Sequence, residues 1–142
     1  MLGSGNEFVF VEKLSVQQGA QLQAFYQGEW WTKDRTIDQV EEMLKQSLVF
    51  ALVREPSNDL AAFARVLTDG VFKALVFDVI VAPAFRGRGL GDRLMQRIVN
   101  DPRLSKVRHL ELYCLCGLVP FYERTSFSPK VDGVTLMRRT NW

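Results

Sequence analysis

The densest chemistry in this 142-residue chain lies in Arg86-Gly87-Arg88-Gly89-Leu90-Gly91, which follows the apolar run Phe77-Asp78-Val79-Ile80-Val81 and opens a helical pattern. Strand, glycine-rich turn and helix start, in that order, form a backbone anion site. The glycines let amide groups approach a ligand without Cβ obstruction, and the helix end adds unpaired N–H groups and the positive pole of its dipole. Charge points the same way. Between Arg86 and Arg108 seven Lys/Arg stand against Asp92 and Asp101, a local net of +5 in a chain whose total is +2. The stretch is expected to cradle a diphosphate.

Two familiar phosphate loops do not fit. A P-loop needs Gly-Lys-Ser/Thr at the helix start, so that a lysine reaches the terminal phosphates and a hydroxyl binds magnesium; Leu90-Gly91-Asp92 offers neither. A dinucleotide fingerprint needs an acid about 20 residues on, closing the next strand. Glu111 lies at that distance but inside a strand pattern, and only two of the three glycines hold the spacing.

The elements that must position this loop belong to one α/β domain spanning residues 1–142. With 47% hydrophobic and 24% charged residues the chain is able to bury a full core. It has no apolar run long enough for a membrane span, and Met1–Glu7 lacks the basic and apolar regions of a secretory signal, so a cytoplasmic location is expected. Cys114 and Cys116 occupy alternate positions of one strand pattern, which argues against a disulfide and suggests buried apolar side chains. With a single histidine, His109, no metal site is expected. The modest net charge without reading-head aromatics argues against nucleic acid. The chain is expected as a monomer or homodimer, with Thr140-Asn141-Trp142 as one place for a dimer contact.

Phe8–Lys13 is β-rich, and Ser15-Val16-Gln17-Gln18 and Thr36-Ile37-Asp38-Gln39 are capping boxes opening two helices. Leu48–Val53, Leu60–Leu67 and Phe72–Val81 form a meander with turns at Pro56–Asp59 and Asp69-Gly70. Leu90, Leu94, Met95, Ile98 and Val99 stripe a helix that Asp101-Pro102 ends, before a strand over Leu110–Leu115. Pro120 opens a short helix, and Asp132-Gly133 is read as the turn of a final hairpin between Phe127–Val131 and Val134–Arg138. The order β-α-α-β-β-β-α-β-α-β-β gives a mixed, mostly antiparallel sheet with flanking helices and one parallel crossover pair.

Over essentially its full length the chain resembles the GNAT superfamily of acyl-coenzyme A-dependent N-acyltransferases. Val79–Gly91 is similar to that family's strand and Arg/Gln-x-x-Gly-x-Gly/Ala loop, and Phe121-Tyr122-Glu123-Arg124 followed by Phe127 is similar to its late tyrosine helix. The resemblance implies that the amides of Arg86, Gly87, Arg88, Gly89, Leu90 and Gly91 hold the diphosphate of acetyl-coenzyme A. Main-chain groups of Val79 and Val81 would pair with the pantetheine arm where the parallel strands splay, and an amide at Ile80 or Val81 would polarise the thioester. It also implies that Tyr122 returns a proton to the departing thiolate. A phenol of pKa about 10 donating to a thiolate whose conjugate acid has pKa about 8.5 works uphill by only ~2 kcal/mol.

The base that frees the attacking amine is less plain. Family members often place a glutamate or histidine on the strand before the loop, at positions equivalent to Leu75 or Phe77, both apolar here. Asp78 has the opposite strand parity and serves as base only if a bulge re-aims it. Leu115, Leu118 and Ser126 depart from the family's Asn, Ala and Gly. Trp30 and Trp31, in the link between the first two helices, are candidates to line a pocket for an aromatic or apolar amine, with Glu29 and Asp34 beside them as carboxylates for a cation. The expected activity is direct acetyl transfer from acetyl-coenzyme A to a primary amine of a small molecule or peptide. The competing expectation is an acyl-coenzyme A-binding regulatory or interaction module without transfer.

Overall fold

The computed structural model describes residues 7–142. Met1–Asn6, on which most of the signal-peptide expectation rests, lie outside them. Strand β1 (Phe8–Val11) leads to helices α1 (Val16–Gln27) and α2 (Ile37–Gln46), then strands β2 (Leu48–Arg54), β3 (Asp59–Thr68) and β4 (Lys73–Val81). Helix α3 (Leu90–Val99), strand β5 (His109–Leu112) and helix α4 (Val119–Glu123) complete the order. Both capping boxes form. Ser15 Oγ accepts the Gln18 amide at 3.1 Å while Gln18 Oε1 accepts the Ser15 amide at 2.9 Å, and Thr36 and Gln39 repeat the exchange at 3.2 and 2.9 Å.

The sheet order is β1-β2-β3-β4-β5, antiparallel except for β4 and β5. Alternation along β2 sends Val49, Ala51 and Val53 to one face, where they meet Leu22, Tyr26 and Val40 of α1 and α2. Phe50 and Leu52 go to the other face with Leu90, Leu94, Met95 and Ile98 of α3. The chain is thus a three-layer sandwich with a core on each side of the sheet.

Two irregularities shape β4. Phe63 faces Ile80 but Arg65 faces Phe77, so Asp78 and Val79 share the place opposite Ala64, and Asp78 takes φ 56°. Aspartate is one of the few side chains that tolerate this left-handed conformation. The extra residue swaps faces: Val76, Val79 and Val81 pack toward α3, while Asp78 turns toward α1 and α2. On the other side, β5 pairs with β4 over only four positions, Lys73–Val76 against His109–Leu112. Beyond them Val79–Val81 keep β3 on one edge and have no strand on the other.

Three expectations need correcting. The final hairpin does not form: Asp132-Gly133 makes a turn, but residues 127–142 contain no strand, and Val131, Val134, Leu136 and Met137 stay exposed. Phe127 alone among these reaches the core, and the bonds that follow are local, such as Lys130 N–H to Ser128 Oγ; alternating apolar residues make a strand only where a partner edge is within reach. Cys114 and Cys116 are unpaired, as expected, but exposed rather than buried, because β5 ends at Leu112 and Cys116 enters a short 3-10 turn, Cys116–Leu118. Pro120 is the second residue of α4, not the first.

Candidate active site

Where β4 and β5 part, a cavity of about 370 Å³ opens. Its walls come from four segments: Val79–Val81 of β4, the glycine loop with the start of α3, Leu118 to Tyr122 around α4, and Glu29 of the α1–α2 link. The loop takes the conformation its glycines permit. Gly87 and Gly89 have φ 78° and 75°, and a Cβ on either would meet nothing within 4 Å, so their backbone faces open space. Gly89 is the N-cap of α3 and supplies no side-chain cap, which leaves the first-turn amides free for a ligand. Gly91 serves packing instead: a Cβ there would stand 3.1 Å from Phe121 Cζ.

Of the two loop arginines, Arg86 lines the cavity and donates from Nε to the Val81 carbonyl at 3.2 Å. Arg88 turns outward to Glu7 at 3.2 Å, so only its backbone is available to the cradle. The cavity thus joins two features suited to one ligand: an unpaired strand edge for an extended amide-bearing arm, and an amide-rich loop for a polyanion. Both fit coenzyme A.

Tyr122 lies between Phe121 and Phe127, ring centroids 4.8 and 6.4 Å away. It is buried apart from its share of the cavity wall, and its hydroxyl bonds to no other described residue. Burial, with a smaller contribution from the nearby Cys114 thiol, pushes its pKa up to about 12. Tyr122 is thus a protonated phenol at neutral pH on the cavity wall.

The bulge does re-aim Asp78, but into a cluster of cations. Arg35 Nη1 donates to Oδ2 at 2.7 Å and Nη2 to Oδ1 at 3.4 Å; Arg65 Nε donates to Oδ2 at 2.7 Å, and the Tyr26 hydroxyl donates to Oδ2 at 3.0 Å. Burial alone would raise the Asp78 carboxyl, but the hydrogen bonds from Arg35 and the charge and hydrogen bond of Arg65 outweigh it and hold it below the usual range. A carboxylate so occupied is a poor proton acceptor. Asp78, expected as a possible base, is engaged by both arginines and Tyr26, and through Arg35 it ties the α1–α2 link to the β4 bulge.

Trp30 and Trp31, expected to line an acceptor pocket, do not reach the cavity; they are 74% and 45% exposed on the α1–α2 link. Their neighbour Glu29 does reach it. Sequence reasoning treated Glu29 as one of two generic carboxylates and missed Arg35, Arg65 and Tyr26. A signal existed for the pair: Arg65 and Asp78 are opposite charges inside otherwise apolar patterns predicted as neighbouring antiparallel strands. For Glu29 the link has no periodicity from which direction is read.

Comparison with known proteins agrees with this geometry. The chain is 31% identical over 107 residues to the N-acetyltransferase ycf52 of Porphyra purpurea, described as uncharacterized, covering 73% of this chain and 61% of that protein. It is 42% identical over 73 residues to serotonin N-acetyltransferase 2, chloroplastic, of Oryza sativa subsp. japonica, covering 51% of this chain and 36% of that one. The chain therefore spans less than two thirds of these relatives' length. Among solved structures, a protein of Xanthomonas campestris pv. campestris assigned to the GNAT family superposes with TM-score 0.82 at 28% identity, covering 94% of this chain and 93% of its own. The model of the acetyltransferase (GNAT) family matches residues 16–127, and the chain belongs to that family.

Proposed function

We propose that the protein is an N-acetyltransferase that moves an acetyl group from acetyl-coenzyme A to a primary amine of a small molecule or peptide by direct attack. The observation that carries this is that the unpaired β4 edge, Val79–Val81, the open glycine loop and Tyr122 line one cavity. Amides of Arg86 to Gly91 hold the diphosphate, the main chain of Val79 and Val81 pairs with the pantetheine arm, and an amide at Ile80 or Val81 polarises the thioester carbonyl. For the Val81 carbonyl to accept from the arm, Arg86 Nε must let go of it. The amine nitrogen attacks the carbonyl carbon, the C–S bond breaks with its electron pair on sulfur, and Tyr122 supplies the thiol proton. Family membership, the ycf52 likeness and the serotonin N-acetyltransferase likeness support the same reaction class.

A binding module without transfer is the second reading, favoured by apolar Leu75 and Phe77 and by the engagement of Asp78 with two arginines. Thermal stabilisation by coenzyme A, followed by thiol release across a panel of amines, separates the two. Stabilisation with turnover is expected. Stabilisation without turnover on any amine, peptide or polyamine selects the module, and no stabilisation removes both.

A further inference from the structure

The cavity lacks a carboxylate on β4, yet the α1–α2 link contributes one to its lining. Glu29 and Asp92 are the carboxylates that line it, and Asp92 sits in the first turn of α3 paired with Arg124 at 2.9 Å. Glu29 is half-buried and makes no ion pair among the described residues. Its backbone is held on both sides: its amide donates to the Tyr26 carbonyl at 3.2 Å, and its carbonyl accepts the Thr32 amide at 3.1 Å. Buried Thr32 closes the same turn through Oγ1 to the Tyr26 carbonyl at 3.0 Å, and Arg35 fastens the turn's end to Asp78. The bulge that frees the thioester edge and the turn that presents Glu29 are thus joined by one salt bridge.

The cavity is accordingly lined by both signs of charge, Arg86 beside the α3 amides and Glu29 from the α1–α2 link. We propose that Glu29 is the specificity-determining residue for the acceptor: its carboxylate receives the ammonium head of a cationic primary amine and holds it against the thioester gap. The ammonium gives one proton to bulk water and the neutral nitrogen forms the C–N bond. The C–S electron pair leaves on sulfur and is protonated by Tyr122, and the phenolate recovers its proton from the newly bonded nitrogen. The sum is ammonium plus thioester giving amide, thiol and one released proton. Glu29 has this role only if the cavity binds an acceptor as in the transfer proposed above, and the test separates the two.

The probes are 2-phenylethylamine, an ammonium ion at pH 7, and phenylacetohydrazide, whose terminal nitrogen is neutral there. With the full chain and acetyl-coenzyme A, Glu29→Gln is expected to raise KM for 2-phenylethylamine by about tenfold or more while leaving KM for the hydrazide within about twofold. Stabilisation by coenzyme A should be unchanged, and Glu29→Asp should restore part of the loss. Equal effects on both probes, or none on the amine, overturn the assignment. If the wild-type protein releases no thiol with any amine, transfer fails, and calorimetry of 2-phenylethylamine on the coenzyme A-loaded protein decides Glu29 alone. Weaker binding to Glu29→Gln upholds it; equal binding, or none to the wild type, sinks it.

Discussion

As the proposed acid, Tyr122 must stay protonated until sulfur leaves and then give its proton up, and burial affects the two demands oppositely. With the pKa pushed up to about 12, the phenol is fully loaded at neutral pH, but transfer to a thiolate of about 8.5 runs uphill by about 5 kcal/mol rather than the ~2 of an unperturbed tyrosine. That remains well inside a barrier of about 16 kcal/mol, which corresponds to some ten turnovers per second. Tyr122→Phe should therefore lower kcat by about 10²-fold or more with coenzyme A affinity retained. Because the phenol does not ionise until about pH 12, the deficit should be the same at pH 6 and pH 9; a deficit that vanishes at either pH would show that Tyr122 is not the acid. Asp78 makes a different demand, since its side chain is 3% exposed and satisfies Arg35 and Arg65 together. Asp78→Asn leaves two guanidinium groups short of charge in a half-dry site and should cost about 3 kcal/mol, read from urea unfolding.

Helices α3 and α4 show how one small residue sets the distance between the glycine loop and the proposed acid. Gly91 lets Phe121 approach, and Tyr122 follows Phe121 in the same short helix. Gly91→Ala pushes against the Phe121 ring at 3.1 Å, so it should lower kcat several-fold with a smaller effect on coenzyme A binding. Gly89→Glu acts on the loop alone: it puts a side chain at φ 75° and a negative charge into the cradle, and coenzyme A stabilisation should disappear. These elements were legible because each carries a local signature, namely two capping boxes, an apolar stripe behind Leu90 and glycines between strand and helix. The bulge at Asp78 was legible only as a condition, since register depends on how β3 and β4 pair and not on either strand alone. The direction of Glu29 was not legible, because it is fixed by Thr32 and by an ion pair to a residue 43 positions from Arg35.

For the whole molecule, several members of the basic stretch between Arg86 and Arg108 are spent on the protein itself. Arg88 pairs with Glu7, Arg93 donates to the Phe8 carbonyl and Arg103 embraces Asp101. The charge count of +5 points to an anion site without identifying its contacts, and the hairpin expected at Asp132-Gly133 shows the opposite limit, a good local pattern with no edge to join. Ion pairing also sets how stability responds to acid. Asp78 and Asp101 are both held below the ordinary carboxylate range by their arginine partners against the cost of burial. A carboxyl whose folded pKa is depressed contributes stability that is complete above its unfolded value, about 3.9, and is lost as pH falls through the folded one. As far as these two groups decide, the urea midpoint should be flat from pH 7 to pH 5 and fall below about pH 4. Asp78→Asn should lie well below wild type at neutral pH and approach it as the solution is acidified, since the wild-type protein then loses the charge that the variant never had. A gap of unchanged size at pH 3 would assign the stabilisation to the shape of the side chain and not to its charge.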